Sequence, residues 1–247
     1  MKKIVLAAAI LAAFSSHFAY AQDAKPAAKP DNEVSFNATL ISDYRYRGIS
    51  QTRLQPALQG GADYVNNPSG FYAGAWLSTI KWIKDAGGSS DLEMDLYAGK
   101  KGEIAAGVSY DVGVLTYVYP SNKLSPDANT TEIYGQVSFG PAYLKFSNSM
   151  TNLFGFANSK NSTYVDVGAN IDIVEGMQLN LHLGHQAVKN NTVFSYTDWK
   201  VGVTKDLGFA SGSIAAIGTN NSNYVGPKPD FKNLGKTSLV VALSKTF

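Results

Sequence analysis

Hydrophobic and polar positions alternate along most of the chain from residue 34 onward. In the first such run Val34, Phe36 and Leu40 share one face, and the residues between them are polar or small. A period of two indicates a β-strand with one apolar face. The pattern predicts an all-β fold of twelve strands, at 34–47, 54–66, 70–80, 91–99, 103–119, 131–139, 142–150, 163–173, 177–187, 197–206, 209–219 and 237–247.

The connections between these runs alternate in length. Long polar stretches are separated by short turns, which we place at 66–70, 100–102, 140–141, 174–177 and 207–208. The exception is 48–53, a short loop at the end of the barrel where the other connections are long. Short turns at one end and long loops at the other are typical of outer-membrane barrels. The sequence therefore predicts one antiparallel up-and-down transmembrane β-barrel over residues 34–247.

The first 33 residues do not follow this pattern. Lys2 and Lys3 precede an apolar run over 4–14, and Ala19-Tyr20-Ala21 fits a small-x-small cleavage rule. We therefore expect residues 1–21 to be a cleaved signal peptide, which would export the chain to the outer membrane of a Gram-negative cell. Residues 22–33 are rich in Ala, Lys and Pro and are expected to form a disordered linker.

Aromatic residues at the strand ends support a membrane location, because barrels carry aromatic girdles at both interfaces. The outward face predicts one girdle of Tyr64, Phe71, Phe139 and Phe247, and a second of Tyr44, Tyr46 and Trp199. The expected surroundings are outer-membrane lipid and lipopolysaccharide. The terminal Phe247 resembles the signal that the outer-membrane assembly machinery recognises, although Lys245 stands where an apolar residue is usual.

Composition excludes several other classes. The 247 residues include no Cys and carry a formal net charge of +2, which argues against a disulfide-stapled domain and a nucleic-acid-binding protein. The alternative all-β fold is a secreted β-sandwich. It is disfavoured because the face opposite the apolar one carries too many charges for a packed core.

That polar face predicts the lining of a pore. It carries eleven carboxylates, including Asp63, Glu103, Asp111 and Asp172, against four cations. The predicted pore-lining residues are Asp43, Arg45, Arg47, Asp91, Glu93, Asp95, Glu132, Asp166, Asp198, Lys145 and Lys200. In one interpretation the arginines pair with carboxylates and hold the wall together; in the other, unpaired carboxylates favour cations and the arginines shape a constriction. The predicted function is a channel for small hydrophilic solutes or ions, with a weak preference for cations.

The sequence offers little for catalysis or metal binding. His182 and His185 fall on opposite faces of one predicted strand and cannot share a metal ion. No cofactor, metal site or enzymatic activity is expected. Two alternatives to a channel stay open: an outer-membrane lipid hydrolase using the lipid-facing His185, and a structural barrel with a closed lumen.

Several motifs resemble the TorF family of porins. The longest is SDYRYRGISQT at 42–52, followed by PALQGG, GFYAGAW, EMDLYAG, YDVG, YVYP and TEIYG within 56–135, and by the closing LVVALSKTF. The resemblance implies an outer-membrane barrel with channel activity, and it implies no particular substrate. Residues 141–236 match the family only loosely.

Overall fold

The computed structural model describes residues 30–247, so the predicted signal peptide and residues 22–29 of the predicted linker lie outside the described residues. Twelve antiparallel strands form a closed barrel in which each strand pairs with its neighbours in sequence and the last pairs with the first. This confirms the predicted fold class. The barrel strands are β1 (Asn32–Ile41), β4 (Ala57–Asn66), β5 (Phe71–Thr79), β6 (Leu92–Ala105), β7 (Val108–Val118), β8 (Thr130–Phe139), β9 (Ala142–Ser149), β10 (Thr163–Val174), β11 (Met177–Ala187), β12 (Tyr196–Asp206), β13 (Ser211–Thr219) and β14 (Ser238–Thr246).

Three kinds of short element accompany the barrel. A hairpin of two-residue strands, β2 (Arg45–Tyr46) and β3 (Ile49–Ser50), lies between β1 and β4. One turn of helix, α1 (Trp82–Asp85), and a 3-10 turn at Thr192–Phe194 lie in the long loops. None of the helices among residues 30–247 has the length and apolar character needed to span a membrane.

The outer face of the wall is apolar, as the alternation predicts. Phe36 on β1, Leu58 on β4 and Leu239 on β14 are 56%, 64% and 70% exposed. The adjacent residues Asn37, Gln59 and Val240 point inward and are buried. This exposed apolar face and the closed barrel suggest an outer-membrane location, because such a barrel meets lipid on its outside.

One predicted turn is wrong. Residues 100–102 do not form a turn, since β6 continues to Ala105 and the chain reverses at Ala106 and Gly107. The pairing of β6 with β7 shifts by one residue between Glu103 and Ala105, which marks a β-bulge. The bulge offsets the change of face that a two-residue turn introduces, so the alternation runs through the hairpin as if it were one strand.

The first predicted strand is also wrong beyond residue 41. The chain leaves the wall at Ser42 and returns at Ala57, and we call residues 42–56 the inward segment. Tyr44 and Tyr46 therefore do not face lipid: Tyr44 is 4% exposed, and Tyr46 packs with Tyr44 in one internal apolar cluster. The predicted short loop at 48–53 is part of this longer insertion.

Inside the barrel, tyrosine rings lie over glycines of the neighbouring strand. Gly74 and Tyr97 are paired residues on β5 and β6, and a Cβ on Gly74 would lie 2.5 Å from the Tyr97 ring. Gly113 is likewise paired with Tyr134, and the Tyr164 ring on β10 lies diagonally over Gly184 on β11. The absence of a side chain at these positions lets the rings lie flat against the wall.

We predict that Gly184→Ala destabilises the barrel by about 1–3 kcal/mol, because a Cβ there would overlap the Tyr164 hydroxyl. Gly135→Ala is the matched control, since its Cβ would meet only Val112 Cγ1, at 3.8 Å. Urea unfolding in lipid vesicles, followed by tryptophan fluorescence, measures both variants. Equal losses of stability in the two would contradict the steric explanation.

Candidate pore and the segment that narrows it

The inward segment begins as a tight hairpin inside the barrel. Arg45 pairs with Ser50 and Tyr46 with Ile49, and the chain turns at Arg47 and Gly48 with φ of 44° and 79°. A Cβ on Gly48 would lie 2.7 Å from Asp198 Cβ on β12. Glycine is therefore needed both for the positive φ and for the close approach to β12.

Arg45 holds the base of this hairpin. Its Nε donates to Asp43 Oδ2 at 2.5 Å, and Asp43 Oδ1 accepts from the hydroxyls of Ser50 and Thr52 at 2.5 and 3.2 Å. Arg45 Nη1 donates to the carbonyls of Gly48, Leu234 and Lys236. These bonds fix the hairpin to the loop that precedes β14.

Arg47 crosses the lumen to β8 and β11. Its Nη1 and Nη2 donate to the two carboxylate oxygens of Glu132 at 3.0 and 2.7 Å, and Nη1 also donates to Gln186 Oε1 at 2.6 Å. The guanidinium lies 4.0 Å from the ring centroid of Tyr164. Both charged side chains are almost fully buried, so the two-point geometry compensates for their lost hydration.

The two tyrosines of the hairpin contact a third part of the wall. Tyr44 donates to Glu93 Oε1 at 2.8 Å and packs edge-on against Trp76. The Tyr46 hydroxyl lies 2.5 Å from that of Tyr117. Hydrogen-bond partners inside the barrel therefore account for the inward position of side chains that sequence parity placed on lipid.

The long loops cover the inward segment. The carbonyl of Gln51 accepts from the backbone N–H groups of Lys81 and Trp82, and Arg53 pairs with Asp85 on α1. The N–H of Ser50 donates to the carbonyl of Leu234. Side chains therefore fill much of the lumen at the long-loop end of the barrel.

Charged residues of both signs line the wall toward the short-turn end. The inward residues Lys101, Asp111, Gln136, Lys145 and Asp166 occupy one row of paired positions from β6 to β10. The Lys145 ammonium lies 4.1 Å from the centroid of the Tyr134 ring. This row places ammonium and carboxylate groups on neighbouring strands, over five of the twelve strands of the barrel.

His182 joins two of the predicted carboxylates. Its Nδ1 lies 2.8 Å from Asp166 Oδ1, and its Nε2 lies 2.6 Å from Asp198 Oδ1. Asp198 also accepts from the Tyr164 hydroxyl at 2.9 Å, and that tyrosine contacts Arg47. An imidazole can donate to both carboxylates only when both of its nitrogens carry hydrogen.

The predicted pore-lining residues fall into distinct places. Asp43, Arg45 and Arg47 lie inside the barrel on the inward segment rather than on the wall. Glu93, Asp95, Glu132, Asp166, Asp198, Lys145 and Lys200 occupy inward positions on the barrel strands.

Asp91 needs correction, because it precedes β6 and its side chain is 69% exposed. The Lys84 ammonium, 2.7 Å away, lowers the pKa of Asp91.

Some inward residues were absent from the predicted pore lining. The sequence predicts a turn at Lys101, and the bulge in β6 explains the difference. Tyr72, Tyr143 and Tyr164 also point inward, and strand parity could have identified them. Tyr72 donates to Asp111 Oδ1 at 2.5 Å.

The structure also places the histidine that the sequence offers for hydrolysis. His185 lies on the outer side of β11, where its Nδ1 is 3.0 Å from Thr197 Oγ1. Within residues 30–247, no three His, Asp or Glu side chains come together as a potential metal site.

The apolar exterior, closed wall and charged interior define a porin-like β-barrel. The chain belongs to the Gcw_chp family, described as bacterial proteins of unknown function, whose model matches residues 24–247. No curated protein matches the sequence.

Solved structures share the fold at low sequence identity. The KdgM porin is 5% identical, with a TM-score of 0.55 over 87% of this chain and 97% of its own. KdgM in complex with disordered oligogalacturonate gives 5% identity and a TM-score of 0.53 over the same shares of the two chains. These similarities concern the fold alone.

Proposed function

We propose that this protein is an outer-membrane channel through which small hydrophilic solutes or ions diffuse, narrowed by the inward segment. The observation that carries the proposal is the contrast between the two faces of the closed wall. The outer face is apolar, whereas inward Asp, Glu, Lys and Arg side chains surround the lumen. Charged side chains inside the barrel need contact with water or with a hydrogen-bonding partner. A lumen that contains water and charged side chains suits the passage of polar solutes.

Two similarities support the proposal. The motifs at 42–52 and within 56–135 resemble the TorF porins. The KdgM porin, which shares the barrel fold, has been solved with oligogalacturonate. A complex between a barrel of this fold and a polar solute fits the proposed role.

A second candidate is a structural barrel with a closed lumen. The observation that favours it is the inward segment, which is bonded to five wall strands, β6, β7, β8, β11 and β14, and to two loops. Conductance separates the two candidates: purified protein in a planar bilayer gives discrete current steps if it is a channel, and none if the lumen is sealed.

We predict a weak preference for cations over anions. Inward carboxylates outnumber inward cations on the barrel strands, and their field attracts counter-ions of positive charge. The reversal potential across a potassium chloride gradient measures this preference, and Lys228→Gln on an exposed loop is the control. A reversal potential of the sign expected for chloride would contradict the prediction.

A further inference from the structure

A small cavity lies inside the barrel beside the inward segment. Its volume is about 50 Å³, and Arg45, Lys200, Asn180, Thr204 and Ser213 supply its polar lining. Within the described chain, no Asp or Glu lines it. A water molecule needs about 10–15 Å³ of such volume, so the cavity admits a group of about three to five heavy atoms.

Two cationic side chains, Arg45 and Lys200, line the cavity. Arg45 is held through Nε by Asp43 and through Nη1 by three carbonyls, as described above. Its Nη2 is buried and has no acceptor within the described residues. A buried N–H group without an acceptor is unfavourable, so an anion beside Arg45 would satisfy it. Lys200 brings a second cationic side chain to the same cavity from β12.

Aliphatic side chains form much of the remaining lining. They come from β1, β13 and β14: Ile41, Ala215, Ile217, Val240 and Ala242. An inorganic anion would satisfy the cations and leave this aliphatic surface without a matching partner. A short aliphatic carboxylate matches both parts, because its charged end accepts hydrogen bonds and its alkyl end packs against methyl groups.

We propose that this cavity is a binding subsite for small aliphatic monocarboxylates. The carboxylate accepts hydrogen bonds from Arg45 and Lys200, and the alkyl group packs against Ile217 and Val240. The subsite goes beyond the proposed channel function, because binding at this place requires no passage through the barrel.

Titration of the purified barrel in detergent with ¹³C-labelled acetate and propionate, followed by NMR, tests the proposal. We expect saturable binding of both and about tenfold weaker binding to Lys200→Met, which removes a charged donor. Lys145→Met is the matched control, because Lys145 also faces the lumen and does not line the cavity. Its affinity for propionate should equal that of the unmodified chain.

The aliphatic lining has its own test. Val240→Thr keeps the side-chain shape and replaces one methyl group by a hydroxyl, so it should weaken propionate binding and leave phosphate binding unchanged. Phosphate binding as tight as propionate binding would assign the cavity to inorganic anions and overturn the proposal. Absence of saturation, or equal losses in both lysine variants, would also overturn it.

These measurements use no current, so they are independent of the channel. A barrel that binds propionate without conducting would contradict only the proposed function. A barrel that conducts without binding would contradict only the subsite. The unmodified and variant proteins are compared by circular dichroism, so that binding is measured on folded barrels alone.

Discussion

Replacement of residues 42–56 by Asn-Gly is expected to raise single-channel conductance severalfold. The inward segment occupies the lumen at the long-loop end, where Arg45 bonds to the loop before β14 and Arg47 bonds to Glu132 on β8. Ile41 and Ala57 are already paired residues on adjacent strands, so a two-residue turn can join β1 to β4 in the same register. Removal of the segment leaves a wider path for ions. Current steps in a planar bilayer measure the change.

The control for this deletion is Lys228→Gln, which alters an exposed loop and leaves the lumen intact. Its conductance should match that of the unmodified chain. An unchanged conductance in the deletion variant would show that the narrowest point lies elsewhere. Current in the deletion variant combined with none in the unmodified chain would favour the closed structural barrel.

Arg47→Met is expected to lower the free energy of unfolding by about 3–5 kcal/mol. The substitution keeps much of the side-chain volume and leaves Glu132 buried without its cation, since the two side chains are only 8% and 3% exposed. The measurement is urea unfolding of the barrel in lipid vesicles.

Two further variants separate the charge from the packing. Arg53→Met removes the partner of Asp85 at the barrel surface, where Arg53 is 38% exposed, and should cost less than about 1 kcal/mol. Arg47→Met combined with Glu132→Gln removes both charges and should recover part of the lost stability. A double variant as unstable as Arg47→Met would show that packing, and not the unpaired carboxylate, explains the loss.

Most of the wall could be predicted from sequence because a barrel strand has one physical requirement that repeats every second residue. Lipid selects apolar side chains on one face, and the lumen accepts polar ones on the other. The predicted strand at 177–187 therefore agrees with β11 at both ends. The predicted ends of the other strands differ from the observed ends mainly where a turn or loop continues the alternation.

The inward segment could not be predicted in this way. Residues 42–47 alternate like a strand, and their parity predicts Asp43, Arg45 and Arg47 on the lumen face of the wall and Tyr44 and Tyr46 on lipid. The actual positions depend on distant partners such as Glu93 and Tyr117, which come together only in the closed barrel. Arg47 also adopts a positive φ, which local preference disfavours for a residue other than glycine.

The junction between β1 and β14 joins the two ends of the barrel sequence through five residue pairs, whereas β1 and β4 share ten. Arg45 reaches across this short seam to the carbonyls of Leu234 and Lys236, just ahead of β14. Separation of β1 from β14 would therefore require the hydrogen bonds between Arg45 and the loop before β14 to break. Arg45, which lies on the segment that narrows the lumen, therefore also links the chain after the first strand to the chain before the last strand.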